Sequence, residues 1–164
     1  MVTMSRFAHA PSDRILVLDG AMGTMIQTAG LQAADFGGER YDGCNEQLNL
    51  TRPDVIRRIH AAYLDAGADC VSTNTFGCAP YVLAEYGLAD RLHDITLAAA
   101  RIAREAAGDR FVIGAMGPST RSITVTRNVT FDEVLTGYEA QAAALLEGGV
   151  DALLLETAQD TLNL

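Results

Sequence analysis

The chain has 164 residues, 49% hydrophobic and 20% charged, a balance that excludes intrinsic disorder and suits one packed domain. Its net charge of −9, with 12 scattered basic residues and no lysine, excludes the basic stripe that nucleic acid or an anionic membrane surface requires. No apolar run approaches the ~18 residues of a membrane span, and the N-terminus lacks the apolar core of a signal peptide, so the chain reads as cytoplasmic.

Residues 1–13 read as a flexible leader and 14–164 as the domain. Ile15, Leu16, Val17 and Leu18 form a short apolar run broken at Asp19-Gly20, the pattern of a buried parallel strand. A helix is predicted over 51–67. Thr51 caps it, Pro53 and Asp54 open it, and Val55, Ile56, Ile59, Ala62, Tyr63 and Ala66 share its apolar face. A second strand begins at Cys70 and ends at Asn74-Thr75. A short helix over 80–86 stops at Gly87, and an alanine-rich one over 95–107 stops at Gly108. Phe111, Val112 and Ile113 make a third strand, broken at Gly114. Thr130 to Glu133 reads as a capping box, ahead of a helix whose face carries Val134, Leu135, Tyr138, Ala142, Leu145 and Leu146. Ala152, Leu153, Leu154 and Leu155 form a fourth strand, broken at Glu156.

The order βαβαβαβ implies an α/β fold with a parallel sheet and right-handed crossovers. The turn Gly67-Ala68-Asp69 before the second strand is echoed by Gly149-Val150-Asp151 before the fourth, either by duplication or because both turns make the same demands.

Ligands of parallel α/β proteins sit at strand carboxyl ends. Asp19, Asn74, Thr75, Gly117 and Glu156 fall there. Asp19 and Glu156 each follow four apolar residues, with no lysine in the chain and no arginine beside either acid. Two such carboxylates suit a cationic group, such as an ammonium; alternatively each caps amides of its own loop, or the two form an acid/base pair. The repeated Gly-Ala-Met-Gly at 20–23 and 114–117 lacks the pattern of a phosphate loop. The loop over 119–127 reads as a solvated connector from which Arg121 could reach an anion. Cys44, Cys70 and Cys78 form no metal-ligand spacing or disulfide framework, and Cys70 reads as a small buried strand residue.

The stretches Leu18 to Thr24, Gly43-Cys44-Asn45-Glu46, Leu48 to Asp54, Ala66 to Asp69, Thr73-Asn74-Thr75-Phe76, Gly117-Pro118, Asn128 to Glu133 and Leu155-Glu156-Thr157 resemble the homocysteine-binding domain of the cobalamin-dependent methionine synthases. The likeness runs from about Arg14 to Leu164. It implies a (β/α)8 TIM barrel, and since such barrels typically need ~250 residues, the present chain would be the first half. It implies that Asp19 and Glu156 hold the homocysteine amino group, that Asn74 and Thr75 line the same pocket, and that amides near Ala21 and Met22 take the carboxylate. It also implies methyl transfer to a thiol activated by zinc on three cysteines. Those lie in the second barrel half and do not correspond to Cys44, Cys70 or Cys78.

The resemblance thus leaves this chain with no catalytic and no metal-binding residue of its own. Zinc and cobalamin are cofactors of the full-length enzyme, and neither is expected on this chain alone, which should be inactive. Its partners would be homocysteine and the rest of the synthase chain, with its second barrel half and its folate and cobalamin modules. An uncovered sheet should favour self-association. The alternatives are a betaine- or S-methylmethionine-dependent homocysteine methyltransferase fragment and a non-catalytic small-molecule-binding α/β domain.

Overall fold

A computed structural model describes residues 6–162. Three parallel strands, β1 (Cys70–Ser72), β2 (Phe111–Met116) and β3 (Ala152–Leu155), form the sheet in that order. Cys70 pairs with Phe111, and Ile113 with Ala152. The helices are α1 (Arg6–Asp13), α2 (Met22–Thr28), α3 (Leu48–Thr51), α4 (Pro53–Asp65), α5 (Pro80–Glu85), α6 (Leu92–Ala107) and α7 (Phe131–Glu147).

Several sequence expectations are corrected. Residues 6–13 of the expected leader form α1, and residues 1–5 lie outside the described part. The expected first strand is reduced to a bridge from Leu18 to Cys70, so among the described residues three strands, not four, make the sheet. Ile15 is 89% exposed because nothing among the described residues covers the outer side of that edge. Only Leu16 packs inward, beside Cys70, Phe111 and Ile113. The inner face of the sheet is not wholly bare: α1 closes one end through Phe7 and Ala10, with the Phe7 and Phe111 rings edge to face at 5.3 Å.

Thr51 does not cap α4. Proline disfavours helical backbone in the residue before it, and Arg52 breaks the helix with φ −137°. The hydroxyl of Thr51 donates instead to the Gln47 carbonyl within the preceding turn. The buried face of α4 takes His60 and Leu64 rather than Ala62 and Ala66. Strand β2 continues through Gly114 instead of stopping there. A β-carbon at 114 would stand 3.0 Å from side-chain carbons of Leu145 and Leu153, so the bare glycine lets α7 approach the sheet. The Thr130 to Glu133 capping box is present. Leu135 and Leu146 are exposed, and Gly137, Gln141 and Ala144 fill the buried face of α7.

The echoed turns share one mechanical role. The Asp69 amide donates to the Val17 carbonyl while its carboxylate accepts the Val17 amide, at 2.7 and 2.9 Å. Asp151 does the same to Val112, both bonds at 2.8 Å. Each aspartate thereby locks an incoming strand to its neighbour. Arg104 pairs with Asp151, and Arg14 with Asp69. Asp151→Ala would leave the amide of fully buried Val112 unpaired, and we expect a loss of about 2 kcal/mol in urea unfolding. Asp151→Asn, which keeps an acceptor, should cost less than half as much.

Candidate functional site

A cavity of about 400 Å³ opens at the carboxyl ends of the strands. It is lined by Asp19, Glu46 and Glu156, with Leu18, Phe76, Ala115 and Leu154 supplying apolar wall, and no lining residue is basic.

Asp19 follows the bridge residue Leu18, and its own amide donates to the Cys70 carbonyl. The Asp19 carboxylate does not cap its own loop. It accepts the Ser72 amide at 2.9 Å and the Ser72 hydroxyl at 2.8 Å, across to β1. Burial pushes the Asp19 carboxyl above its ordinary pKa; the Ser72 bonds oppose this, and the charge of Glu156 adds to it. Glu156 leaves the end of β3, where its amide donates to the Met116 carbonyl. Among the described residues its carboxylate makes no hydrogen bond or ion pair. Two acids from opposite edges of the sheet thus share one cavity, with a charge interaction between them and no basic residue lining it among the described residues.

Asn74 reaches the cavity wall, but its side-chain amide is spent on the Asn45 carbonyl at 2.8 Å and Asn49 Oδ1 at 3.0 Å. It pins the 45–49 segment to the end of β1. Thr75 does not line the cavity. It is fully buried and donates to the Ala115 carbonyl at 2.6 Å, because the chain end of β1 must be tied to β2 there. Ala21 and Met22 line the cavity at the start of α2, where no side chain caps the first-turn amides. Arg121 lies over the Tyr81 ring at 4.8 Å and is not among the lining residues.

Sequence reasoning missed Ser72, Phe76 and Glu46 as site residues. Glu46 accepts the Gly77 amide at 2.8 Å, and burial raises its pKa. Its signal in the sequence was its place in the Gly43-Cys44-Asn45-Glu46 stretch that carries the resemblance.

The three cysteines do not fit a zinc site. Cys44 and Cys78 lie in one apolar cluster and Cys70 in another. Burial pushes the Cys44 thiol up to about 11 and raises the other two. Among the described residues no three His, Cys, Asp or Glu side chains gather as metal ligands. No helix among them is long and apolar enough to cross a membrane.

Methionine synthase of Mycobacterium tuberculosis is 45% identical over 160 residues, which cover 93% of this chain and 13% of that protein. The Mycobacterium leprae methionine synthase is 44% identical with the same coverage. The oxidized form of the homocysteine methyltransferase MmuM from Escherichia coli superposes with a TM-score of 0.77 at 24% identity, over 96% of this chain and 58% of that one. Its metallated form gives 0.76 at 25% identity, over 95% and 58%. The parallel α/β architecture is that of a (β/α)8 barrel, of which the chain spans about half. The sequence model described as homocysteine S-methyltransferase matches residues 16–164, and the chain belongs to that family.

Proposed function

We propose that this chain is the homocysteine-binding part of a methionine synthase, an enzyme that moves a methyl group onto the homocysteine thiol. One observation carries the reading: the Asp19 and Glu156 carboxylates share a cavity that has no basic lining residue. An ammonium group of the substrate would answer both charges. The substrate carboxylate would lie toward the uncapped amides near Ala21 and Met22, with Asn74 setting the wall beside it. Thr75 enters only through its tie to β2.

The 45% and 44% identity to the mycobacterial methionine synthases, against 24% and 25% to the homocysteine methyltransferase MmuM, favours the methionine synthase reading. Zinc, cobalamin and the folate module belong, in this reading, to a longer chain of which these residues form part. The isolated chain would then bind substrate without methylating it. Its exposed Ile15, Val17, Leu153 and Leu155 favour self-association. Three free, buried cysteines accord with a reducing, cytoplasmic setting.

Calorimetric titration tests the reading from the ligand side. L-homocysteine should bind at neutral pH, and 4-mercaptobutanoate, which lacks the ammonium group, should not. Equal affinity for both would refute the assignment of Asp19 and Glu156.

A further inference from the structure

Gln141 lies on the buried face of α7 with no exposed surface, and it does not line the cavity. It stands behind the wall to which Thr73, Asn74, Phe76 and Ala115 contribute. Its Nε2 donates to the Thr75 carbonyl at 2.8 Å and to the Ala115 carbonyl at 3.4 Å. Both acceptors are satisfied without it. The Cys78 amide donates to the Thr75 carbonyl at 3.0 Å, and the Thr75 hydroxyl donates to the Ala115 carbonyl at 2.6 Å. With that proton committed, Thr75 Oγ1 accepts the Thr73 hydroxyl, also at 2.6 Å, and Thr73 Oγ1 accepts the Ala115 amide at 3.0 Å. Beyond Ser72, the tie between β1 and β2 thus continues through two hydroxyls and is complete on its own. Gln141 Oε1 has no partner among the described residues. The glutamine therefore rescues no orphaned group and buries an unpaired oxygen, which costs stability against an apolar side chain of the same volume. One turn earlier on the helix, Tyr138 donates to the Gly117 carbonyl at 3.2 Å, and the Gly117 amide donates to the Phe76 carbonyl at 3.1 Å. Residues three apart share a helix face, so α7 grips the segments leaving β1 and β2 through this pair.

We propose that Gln141 is a positioning residue: it sets where the 73–77 segment lies against α7, and stability is given up for that placement. The role rests on the homocysteine reading above and adds to it a residue that never meets the ligand. Thr75 is the point of action, since its carbonyl takes the buried amide while its neighbours Asn74 and Phe76 face the cavity. The bond from Cys78 cannot replace this hold, because it lies within the same turn and moves with it.

Gln141→Met keeps the volume of the side chain and removes its amide. Urea unfolding of the full chain should give a midpoint equal to the parent's or higher. The Cys78 and Gly117 amides, which bond to the carbonyls of Thr75 and Phe76, should exchange about tenfold faster, while the amide of fully buried Val112 keeps its protection. L-homocysteine should bind about fivefold more weakly by calorimetry. Gln141→Leu should behave alike, which separates loss of the amide from a packing fault of one side chain. A lower midpoint with unchanged exchange at Cys78 and Gly117 would overturn the proposal, for Gln141 would then be a structural group whose oxygen an internal water meets. Unchanged exchange and affinity at an unchanged midpoint would overturn it equally. If the parent chain binds no homocysteine, that reading falls by itself, and amide exchange still decides whether Gln141 places the segment.

Discussion

Lowering the pH from 7 to 4 is expected to cost the folded chain about 3 kcal/mol through His60 alone. This imidazole sits on α4 with no exposed surface, and neither ring nitrogen has a hydrogen-bond partner among the described residues. Burial pushes its pKa down to about 4, against 6.5 for an ordinary histidine. Below pH 6.5 the unfolded chain takes up a proton that the folded chain refuses until about pH 4. Stability is therefore complete above that window and is lost as the pH falls through it. The loss is a large share of the 5–15 kcal/mol that holds a typical domain together.

Because carboxylates titrate in the same range, the comparison must be with a variant. His60→Leu fills similar space and removes two unpartnered nitrogens, so at pH 7 it should be at least as stable as the parent. In urea titrations from pH 7 to pH 4, the parent should lose about 3 kcal/mol more than the variant. Parallel losses in the two proteins would show that His60 protonates freely in the folded state.

Asp19→Asn is expected to weaken homocysteine binding by about 3 kcal/mol, or roughly a hundredfold in Kd, with little change in stability. The amide keeps the shape of the carboxylate. Its oxygen can accept the Ser72 amide and its nitrogen can donate to the Ser72 hydroxyl, so the link from the Leu18 bridge to β1 survives. Only the charge goes. Glu156→Gln removes the other half of the pair and should have a comparable effect. The double variant should lose less than the sum, because both acids would face the same ammonium. Binding by the parent should also weaken as the pH falls into the raised titration range of Asp19, and Asp19→Asn should remove that component. Unchanged calorimetric affinity in both single variants would exclude an ammonium between these acids.

Most helices and the three sheet strands were legible in the sequence because their signals are local. Apolar runs, glycine stops and the Thr130 to Glu133 box act over a few residues. The strand-end acids were legible for the same reason, as each follows an abrupt end to an apolar run. Errors arose where a distant partner decides the outcome. The run at Ile15 to Leu18 has strand composition, but a strand needs a neighbour paired along its length, and there it pairs at one point only. Gly114 looks like a breaker until α7 is laid against it. His60 breaks the apolar pattern of α4, yet packing encloses it completely.

By itself, then, the sequence determined the alternating α/β order, the placing of Asp19 and Glu156 at strand ends and the resemblance that led to the family. Only the tertiary structure decided which groups meet. It turned Asp19 toward Ser72, withdrew Thr75 into the tie with β2, and brought Glu46 and Phe76 from separate segments to one cavity. The physical reason is range: turns and periodicity are written in neighbouring residues, whereas a cavity is formed by segments that meet only after the core has packed.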